Sequence, residues 1–309
     1  MSDTWLITGS AGYLGFTLIE LLRDHGIKII ALDTNKPPQV ANHRYQADFA
    51  DKQVLEEIFR THKISGVVHL AALKSVSESF MRPQEYLHNN YTKTITLFET
   101  SRQFEVEHFI FASSAAVYSP SKIGHLTVES DPVDSLSPYG ESKILCERYF
   151  ESSPPGRIFS TSLRFFNLAG VSRSDTKSTG VINLLTDCVA SGNIFNVNSN
   201  QLTGESSLTS TRDYIDIHDV ALAILQAIKS KPRKHFAVYN ISSGSGKTLA
   251  QLIKNVEDIS GRKINIRKKV SETIEVPWMV GSNQRAAIEL KWRPTTSLNK
   301  TIQQLLGEK

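Results

Sequence analysis

The chain has 309 residues, 40% of them hydrophobic and 21% charged, with a formal net charge of +4; this composition excludes fibrous and disordered classes and leaves room for two unequal domains. Its two cysteines, Cys146 and Cys188, lie far apart without a CxxC, so neither a disulfide framework nor a metal site is expected. No basic stretch precedes the first short apolar run, no segment offers the ~20 apolar residues that span a bilayer, and the basic run 262–269 alternates with Ile264 and Ile266 as a half-exposed strand does; a cytoplasmic protein with neither membrane nor nucleic-acid partner is expected.

Trp5-Leu6-Ile7-Thr8 reads as a strand, Gly9-Ser10-Ala11-Gly12-Tyr13-Leu14-Gly15 as a glycine turn, and Phe16, Leu18, Ile19, Leu21 and Leu22 as the inner face of a helix. Gly9, Gly12 and Gly15 then have separate tasks: a tight turn, close approach of backbone to a pyrophosphate, and close packing of helix on strand. The helix N-terminus offers unpaired N–H groups and a partial positive charge to phosphates. A second buried strand, 27–32, ends on Asp33, about 20 residues past the glycines, where an acid can bond ribose hydroxyls and repel a 2′-phosphate. NAD is therefore favoured over NADP, with Lys36 the one nearby cation. Without the glycine turn, Asp33 would read as an ordinary turn acid.

Arg44-Tyr45-Gln46-Ala47 is a third strand, after which Asp48 and Phe49 can flank an adenine, and Asp51 caps a helix running to His62. The apolar run 66–72 suits a strand buried on both faces, with His69 a core histidine rather than a ligand. Pro83 opens a helix to about Gln103. The next strand, 108–112, ends in Ser113-Ser114-Ala115-Ala116-Val117-Tyr118, which puts Ser114 at the carboxyl edge of the sheet with Gly9, Asp33 and Ala72.

Tyr139 and Lys143, in Pro138-Tyr139-Gly140-Glu141-Ser142-Lys143, meet on one helix face because they are four positions apart. A free tyrosine titrates near ~10, so a phenolate at neutral pH requires lowering that value by roughly 3 pH units, about 4 kcal/mol. Lys143 and any bound, positively charged nicotinamide ring can supply much of this. Taken alone, the spacing is also that of a solvated pair.

Beyond Leu168 the pattern is mixed: a polar loop 172–179, a helix 181–191, and a polar stretch 196–210 leading to Arg212. A strand at 215–217, a helix at 219–229 and a strand at 237–241 are expected to return to the first domain. Ser243-Gly244-Ser245-Gly246-Lys247-Thr248 lacks the first glycine of a P-loop and reads as a turn into a helix at 249–260. A last amphipathic helix covers 298–306. The expected division is an NAD-binding domain over 1–166, rejoined by about 214–241, and a mainly substrate-binding domain over 167–309.

In this order and at these intervals, GxxGxxG at Gly9, Asp33, HLAA at His69, SSAAVY at Ser113, YxxxK at Tyr139 and RFFN at Arg164 resemble the extended short-chain dehydrogenase/reductase family. LKSVSES at Leu73 and RDYI at Arg212 resemble its UDP-glucose (UDP-galactose) 4-epimerase branch. The resemblance runs from about residue 4 to 245. It implies an α/β fold, a doubly wound Rossmann-like parallel sheet with a smaller C-terminal α/β domain, and inversion of C4 of a UDP-hexose through a transient 4-keto sugar.

By that resemblance Tyr139 is the base, Lys143 its activating cation and holder of the nicotinamide ribose, and Ser114 a hydrogen-bond partner of the same sugar oxygen. On the cofactor side it puts Tyr13, Leu14 and the glycines, then Asp33, Asp48 and Phe49, and then Leu70, Ala71, Ala72, Lys74 and Asn89. Lys74 is also a substrate contact, and Asn167, Asn183, Leu184 and Arg212 hold the nucleotide diphosphate. Arg212 has the fork geometry that suits phosphate; its other reading is a surface ion pair with Asp213 or Asp216. A homodimer through the helices starting near Pro83 and Pro138 is likewise implied.

Three departures from the pattern carry meaning. Ala115 and Ala116 stand where dehydrating relatives carry acids, which disfavours a 4,6-dehydratase or decarboxylase, and Ala116 replaces a threonine of some epimerases. Ser271-Glu272-Thr273-Ile274-Glu275-Val276-Pro277 stands where an arginine usually meets the diphosphate, which leaves the nucleotide open. Trp278, Met279 or Val280 falls where relatives limit bulk at C2 of the sugar. The rival readings are another extended short-chain oxidoreductase and a non-catalytic NAD-binding regulatory protein.

Overall fold

The computed structural model describes residues 3–154, 156, 158–172, 180–200, 207–230, 234–271 and 276–307. Its main sheet holds seven parallel strands: β1 (Thr4–Thr8), β2 (Lys28–Asp33), β3 (His43–Gln46), β4 (Gly66–His69), β5 (His108–Ser114), β6 (Phe159–Phe165) and β10 (Phe236–Ile241). They are ordered β10-β6-β5-β4-β1-β2-β3. Thr8 faces Leu32 on one side and His69 on the other, so β1 and β4 flank the switch point at which the strand order reverses.

Alternation along the strands explains why both faces are dry. Leu6, Ile30, Val67 and Phe109 pack with Leu55, Ile58, Phe98 and Phe150 on one side, while Ile7, Ile29, Val68 and Ile110 pack with Leu18, Ile19, Leu22 and Ile224 on the other. The architecture is the doubly wound α/β sheet that the sequence pattern implies.

A smaller assembly follows. Strands β7 (Asn167–Ala169), β9 (Thr211–Asp216), β11 (Gly246–Thr248) and β13 (Trp278–Met279) form a second sheet, and β8 (Phe195–Asn200) pairs with β12 (Ile266–Ser271). Helices Val181–Ser191, Leu249–Ser260 and Leu298–Leu306 bury Leu185, Leu252, Val256 and Ile302 in a separate core.

Three expectations are corrected. The strand expected at 215–217 is the end of β9 and pairs in the smaller sheet, although Ile215 still packs in the main core. The polar stretch 196–210 contains most of β8, whose alternating Phe195 and Val197 are buried. The strand expected at 66–72 stops at His69, because Leu70 and Ala71 turn away to pass directly over Gly9.

The helix expected from Pro83 to about Gln103 is present over that range, as Pro83–Leu87 and Lys93–Gln103 joined by a π turn at His88–Thr92. That turn rotates Asn90 inward: its side-chain amide accepts from Leu73 N at 2.9 Å and donates to Leu73 O at 2.8 Å, while its carbonyl accepts from Cys146 Sγ at 3.2 Å. A wide turn frees a backbone carbonyl for such a partner. No helix among the described residues is long and apolar enough to cross a membrane.

Candidate active site

The ends of β1, β2, β4 and β5 put Gly9, Asp33, Leu70 and Ser114 along one edge of the sheet. Gly9 has φ +68°, and a Cβ there would lie 2.6 Å from Ala71 N, so only glycine lets the turn pass β4 so closely. A Cβ on Gly15 would overlap the carbonyl oxygen of Gly9, which fixes how tightly helix Tyr13–Asp24 abuts β1. The helix has no side-chain cap at Gly12 and no acid in its first turn, so no side-chain charge offsets the positive end of its dipole there. The buried Ser10 Oγ in the same turn has no hydrogen-bond partner among the described residues. A cradle that a single methyl would fill, an uncapped N-terminus and an unsatisfied buried hydroxyl together fit a dinucleotide pyrophosphate.

The Asp33 carboxylate accepts from Ala11 N at 3.0 Å and Asn35 N at 2.8 Å, which ties the second strand to the glycine turn. Three other residues of the expected cofactor set have their side chains engaged elsewhere. Tyr13 donates its hydroxyl to Gly170 O at 2.6 Å, Phe49 is buried with its ring 4.8 Å from that of His69, and Asp48 pairs with Lys93 at 2.5 Å. Burial raises the Asp48 pKa, but the Lys93 hydrogen bond and charge and the Ala50 N–H overcome it and hold the carboxyl below its ordinary range. Leu14 packs against the main core, and Leu70, Ala71 and Ala72 line the edge half-buried. Lys74 is exposed next to them, and Asn89 donates to Asn90 Oδ1 at 3.0 Å. His69 is a core histidine, bracketed by Thr8 Oγ1 at 2.6 Å and Thr94 Oγ1 at 2.8 Å; burial, followed by the Lys143 charge, holds its pKa well down. No group of three or more metal-ligating side chains occurs among the described residues.

Ser137 caps helix Pro138–Ser152 by accepting from Gly140 N at 3.1 Å, and Pro138 fills the first helical position. The Tyr139 hydroxyl thereby comes within hydrogen-bond reach of Ser114, whose Oγ accepts from Ala116 N at 3.1 Å. Lys143, 2% exposed, donates to Ala112 O at 2.8 Å, and its ammonium stands 4.6 Å above the Phe111 ring and 5.9 Å from the Tyr139 ring.

In the protein's own field the two groups shift in opposite directions. Burial raises the Tyr139 pKa against the lowering effect of the Ser114 hydrogen bond, and burial lowers Lys143 to about 8, opposed by Cys146 and Glu147. The cation is aimed at a carbonyl rather than the phenol, and desolvation sets the direction of the shift at both groups.

On the other side of the crevice, Asn167 donates to Asp213 O at 2.9 Å and Asn183 donates to Gly170 O at 3.1 Å, its buried Oδ1 left without a partner among the described residues. Leu184 is 41% exposed. Arg212 donates to Thr211 O at 3.0 Å and Val276 O at 2.5 Å. The carboxylates of Asp213 and Asp216 serve other donors. Asp213 accepts from Ser243 N and Oγ, Gly244 N and Gly281 N, while Asp216 accepts from His218 N and Thr301 Oγ1. Burial nevertheless pushes Asp213 up to about 6 against those hydrogen bonds.

Of the three residues considered for the C2 position, Met279 packs with Ala115 and Phe166, Val280 is buried, and Trp278 Nε1 donates to His125 O at 2.6 Å. Glu272 and Glu275, which left the nucleotide open, lie outside the described residues, as does most of the loop 172–179.

Sequence reasoning missed Asn90, Asp213 and a buried Glu147–Arg164 pair. Asn90 adjoins Asn89, and nothing in the letters says which amide turns inward. Glu147 falls on the helical spacing of Tyr139 and Lys143, and that spacing was the available signal.

Residues 5–242 match the family model described as the NAD-dependent epimerase/dehydratase family. Over 96% of its length the chain is 30% identical to a UDP-glucose 4-epimerase of Schizosaccharomyces pombe, covering 90% of that protein. It is 28% identical to one of Bacillus subtilis, over 96% of this chain and 93% of the other. Among solved structures, UDP-glucose 4-epimerase of Thermotoga maritima with UDP-glucose superposes with a TM-score of 0.89 at 26% identity, covering 99% of this chain and 98% of that one. The Thermus thermophilus UDP-glucose 4-epimerase in complex with NAD gives 0.89 at 27% identity with the same coverage.

Proposed function

The chain belongs to the NAD-dependent epimerase/dehydratase family, and from that premise we infer that it is a nucleotide-sugar 4-epimerase acting on a UDP-hexose. The observation that carries the reading is the meeting of Tyr139, Ser114 and Lys143 at the edge where the glycine turn makes a dinucleotide cradle.

NAD, when bound, supplies a reversible two-electron acceptor and a positively charged ring near the base. Tyr139 takes the proton of the sugar 4-hydroxyl and later returns it to the other face's product. Ser114, already within reach of Tyr139, holds the same oxygen so that proton transfer needs no reorganisation. Lys143, pinned on Ala112 O, contributes a fixed positive charge at the ribose side. Gly9, Gly12, Gly15 and Asp33 hold the cofactor; Asn167, Asn183, Leu184 and Arg212 hold the diphosphate. Residues 1–166 with 214–241 act as the NAD-binding domain, and 167–309 mainly as the substrate-binding domain. The enzyme works as a cytoplasmic homodimer, with the helices beginning at Pro83 and Pro138 as the contact.

The test is to incubate purified protein, without added cofactor, with UDP-glucose, UDP-GlcNAc and UDP-glucuronate separately and to read each mixture by NMR. Appearance of a C4 epimer with no net NADH supports the reading and names the sugar. Net NADH once NAD is supplied would favour the oxidoreductase alternative, and NAD binding with no turnover of any substrate would favour a regulatory protein.

A further inference from the structure

Glu147 lies one turn beyond Lys143 and two beyond Tyr139, on the same side of the helix, and is 5% exposed. Its Oε1 accepts from Ser113 Oγ at 2.6 Å and from Arg164 Nε at 3.1 Å, and its Oε2 accepts from Arg164 Nη2 at 2.6 Å. Arg164 is also 5% exposed; it donates Nη1 to Glu129 O at 3.3 Å and lies 4.7 Å over the Tyr118 ring, whose hydroxyl donates to Asn240 Oδ1 at 2.6 Å. Ser113 and Arg164 are register partners on adjacent strands, and Ser113 directly precedes Ser114. One carboxylate thus joins the helix of the candidate base to the last residues of β5 and β6.

As stabilisation this arrangement gains little, since a buried ion pair replaced as a unit by apolar side chains of similar volume often leaves a protein no less stable. What it supplies is direction. Apolar packing tolerates small slides of a helix along a sheet, whereas a bidentate guanidinium and a serine hydroxyl accept a single rotation and translation of the carboxylate between them.

We propose that Glu147 is a positioning residue which, by gripping Ser113 and Arg164, fixes helix Pro138–Ser152 so that the Tyr139 phenol meets Ser114. The proposal rests on the reading of Tyr139 as the base. Glu147 itself touches neither Tyr139 nor any group at the glycine turn among the contacts described above, and acts through the helix.

The test compares the parent with the double variant Glu147→Leu, Arg164→Met, which removes both charges together and leaves neither one buried alone. Of the groups facing Tyr139 and Lys143, His69 from β4, Cys146 on the helix and the Ser114 hydroxyl are unchanged by it, whereas the Glu147 charge, which raises the Lys143 pKa, is removed; Ser113→Ala keeps that charge and so separates position from charge. The expected result is parental thermal stability and NAD binding, a KM for the nucleotide sugar within about twofold, and a kcat lower by about 10- to 100-fold, the order of loss for a base displaced by ~1 Å. An ultraviolet difference titration of the Tyr139 phenolate, with Tyr139→Phe as blank, should move by about half a pH unit or more, a threefold change in ionised fraction. This readout needs no substrate, so it separates the two claims: a parent that converts no sugar counts against the epimerase reading, and an unmoved titration counts against the positioning role. Should the double variant fail to fold, Ser113→Ala removes one grip without unpairing a charge and should lower kcat by about 3- to 10-fold with KM unchanged. Parental kcat and parental titration in either folded variant would overturn the proposal.

Discussion

Gly140 lies so close to Ala116 that a methyl group on it would overlap the Ala116 carbonyl oxygen, and it would also meet Ser135 Cβ at 2.8 Å. The residue beside the candidate base is therefore what allows its helix to approach the segment that follows Ser114. Gly140→Ala should force the helix outward, with a cost of about 1–3 kcal/mol in stability from overpacking and a kcat loss of about 10- to 100-fold from misplacement of Tyr139. Denaturant unfolding and steady-state kinetics check this; parental kcat in the variant would mean that the helix can shift without consequence.

Tyr139→Phe keeps the ring and removes the proton acceptor. Turnover should fall by at least about 10²- to 10⁴-fold while NAD binding, measured by fluorescence, persists. Ser114→Ala should lower kcat less, since Tyr139 remains. Retention of full activity in Tyr139→Phe would remove the proposed base.

Lys143 predicts opposite pH trends for stability and activity. Its folded pKa, about 8, lies below the ordinary 10.5, so between those values the unfolded chain binds more protons than the native one. Unfolding free energy contributed by this site therefore rises with pH through that window, by at most about 3 kcal/mol. Activity should decline above about pH 8, as the ammonium loses its proton and with it its charge. The difference in stability between parent and Lys143→Met, followed by denaturant titration across the window, reads this contribution together with its coupling to Cys146, whose burial pushes its thiol up to about 12. A difference that falls with pH would show the sign to be wrong.

Asp33 joins the glycine turn to the second strand through Ala11 N and Asn35 N. Asp33→Ala should weaken NAD about 10- to 100-fold, as expected for lost hydrogen bonds to a charged group, and should narrow the preference over NADP. Calorimetric titration with both cofactors decides it, and an unchanged ratio would put the ribose contact elsewhere.

Arg212→Ala should raise KM for the nucleotide sugar by about 10- to 100-fold with little change in kcat, because the contact proposed for it is to the diphosphate rather than the reacting carbon. Arg212→Lys should recover part of the loss, limited by the missing fork. If KM stays at the parental value in the alanine variant, the phosphate assignment fails.

Whatever depends on neighbours along the chain could be read from the letters alone. The glycine turn after β1, the cap and proline opening the Tyr139 helix, the four-residue step from Tyr139 to Lys143 and the apolar strands 27–32 and 108–112 were all legible, since turns, caps and periodicities are local. Long-range contacts made in the folded chain settled the rest. The pairing of Glu147 with Arg164 and Ser113, the inward turn of Asn90 onto Leu73, the gathering of four donors on Asp213 and the seat of Tyr13 on Gly170 join residues that are not sequence neighbours. The letters of each are equally compatible with a solvated surface. The direction in which Tyr139 titrates belongs to the same group, because desolvation depends on what the completed fold packs over the phenol, and in this protein burial outweighs the Ser114 hydrogen bond.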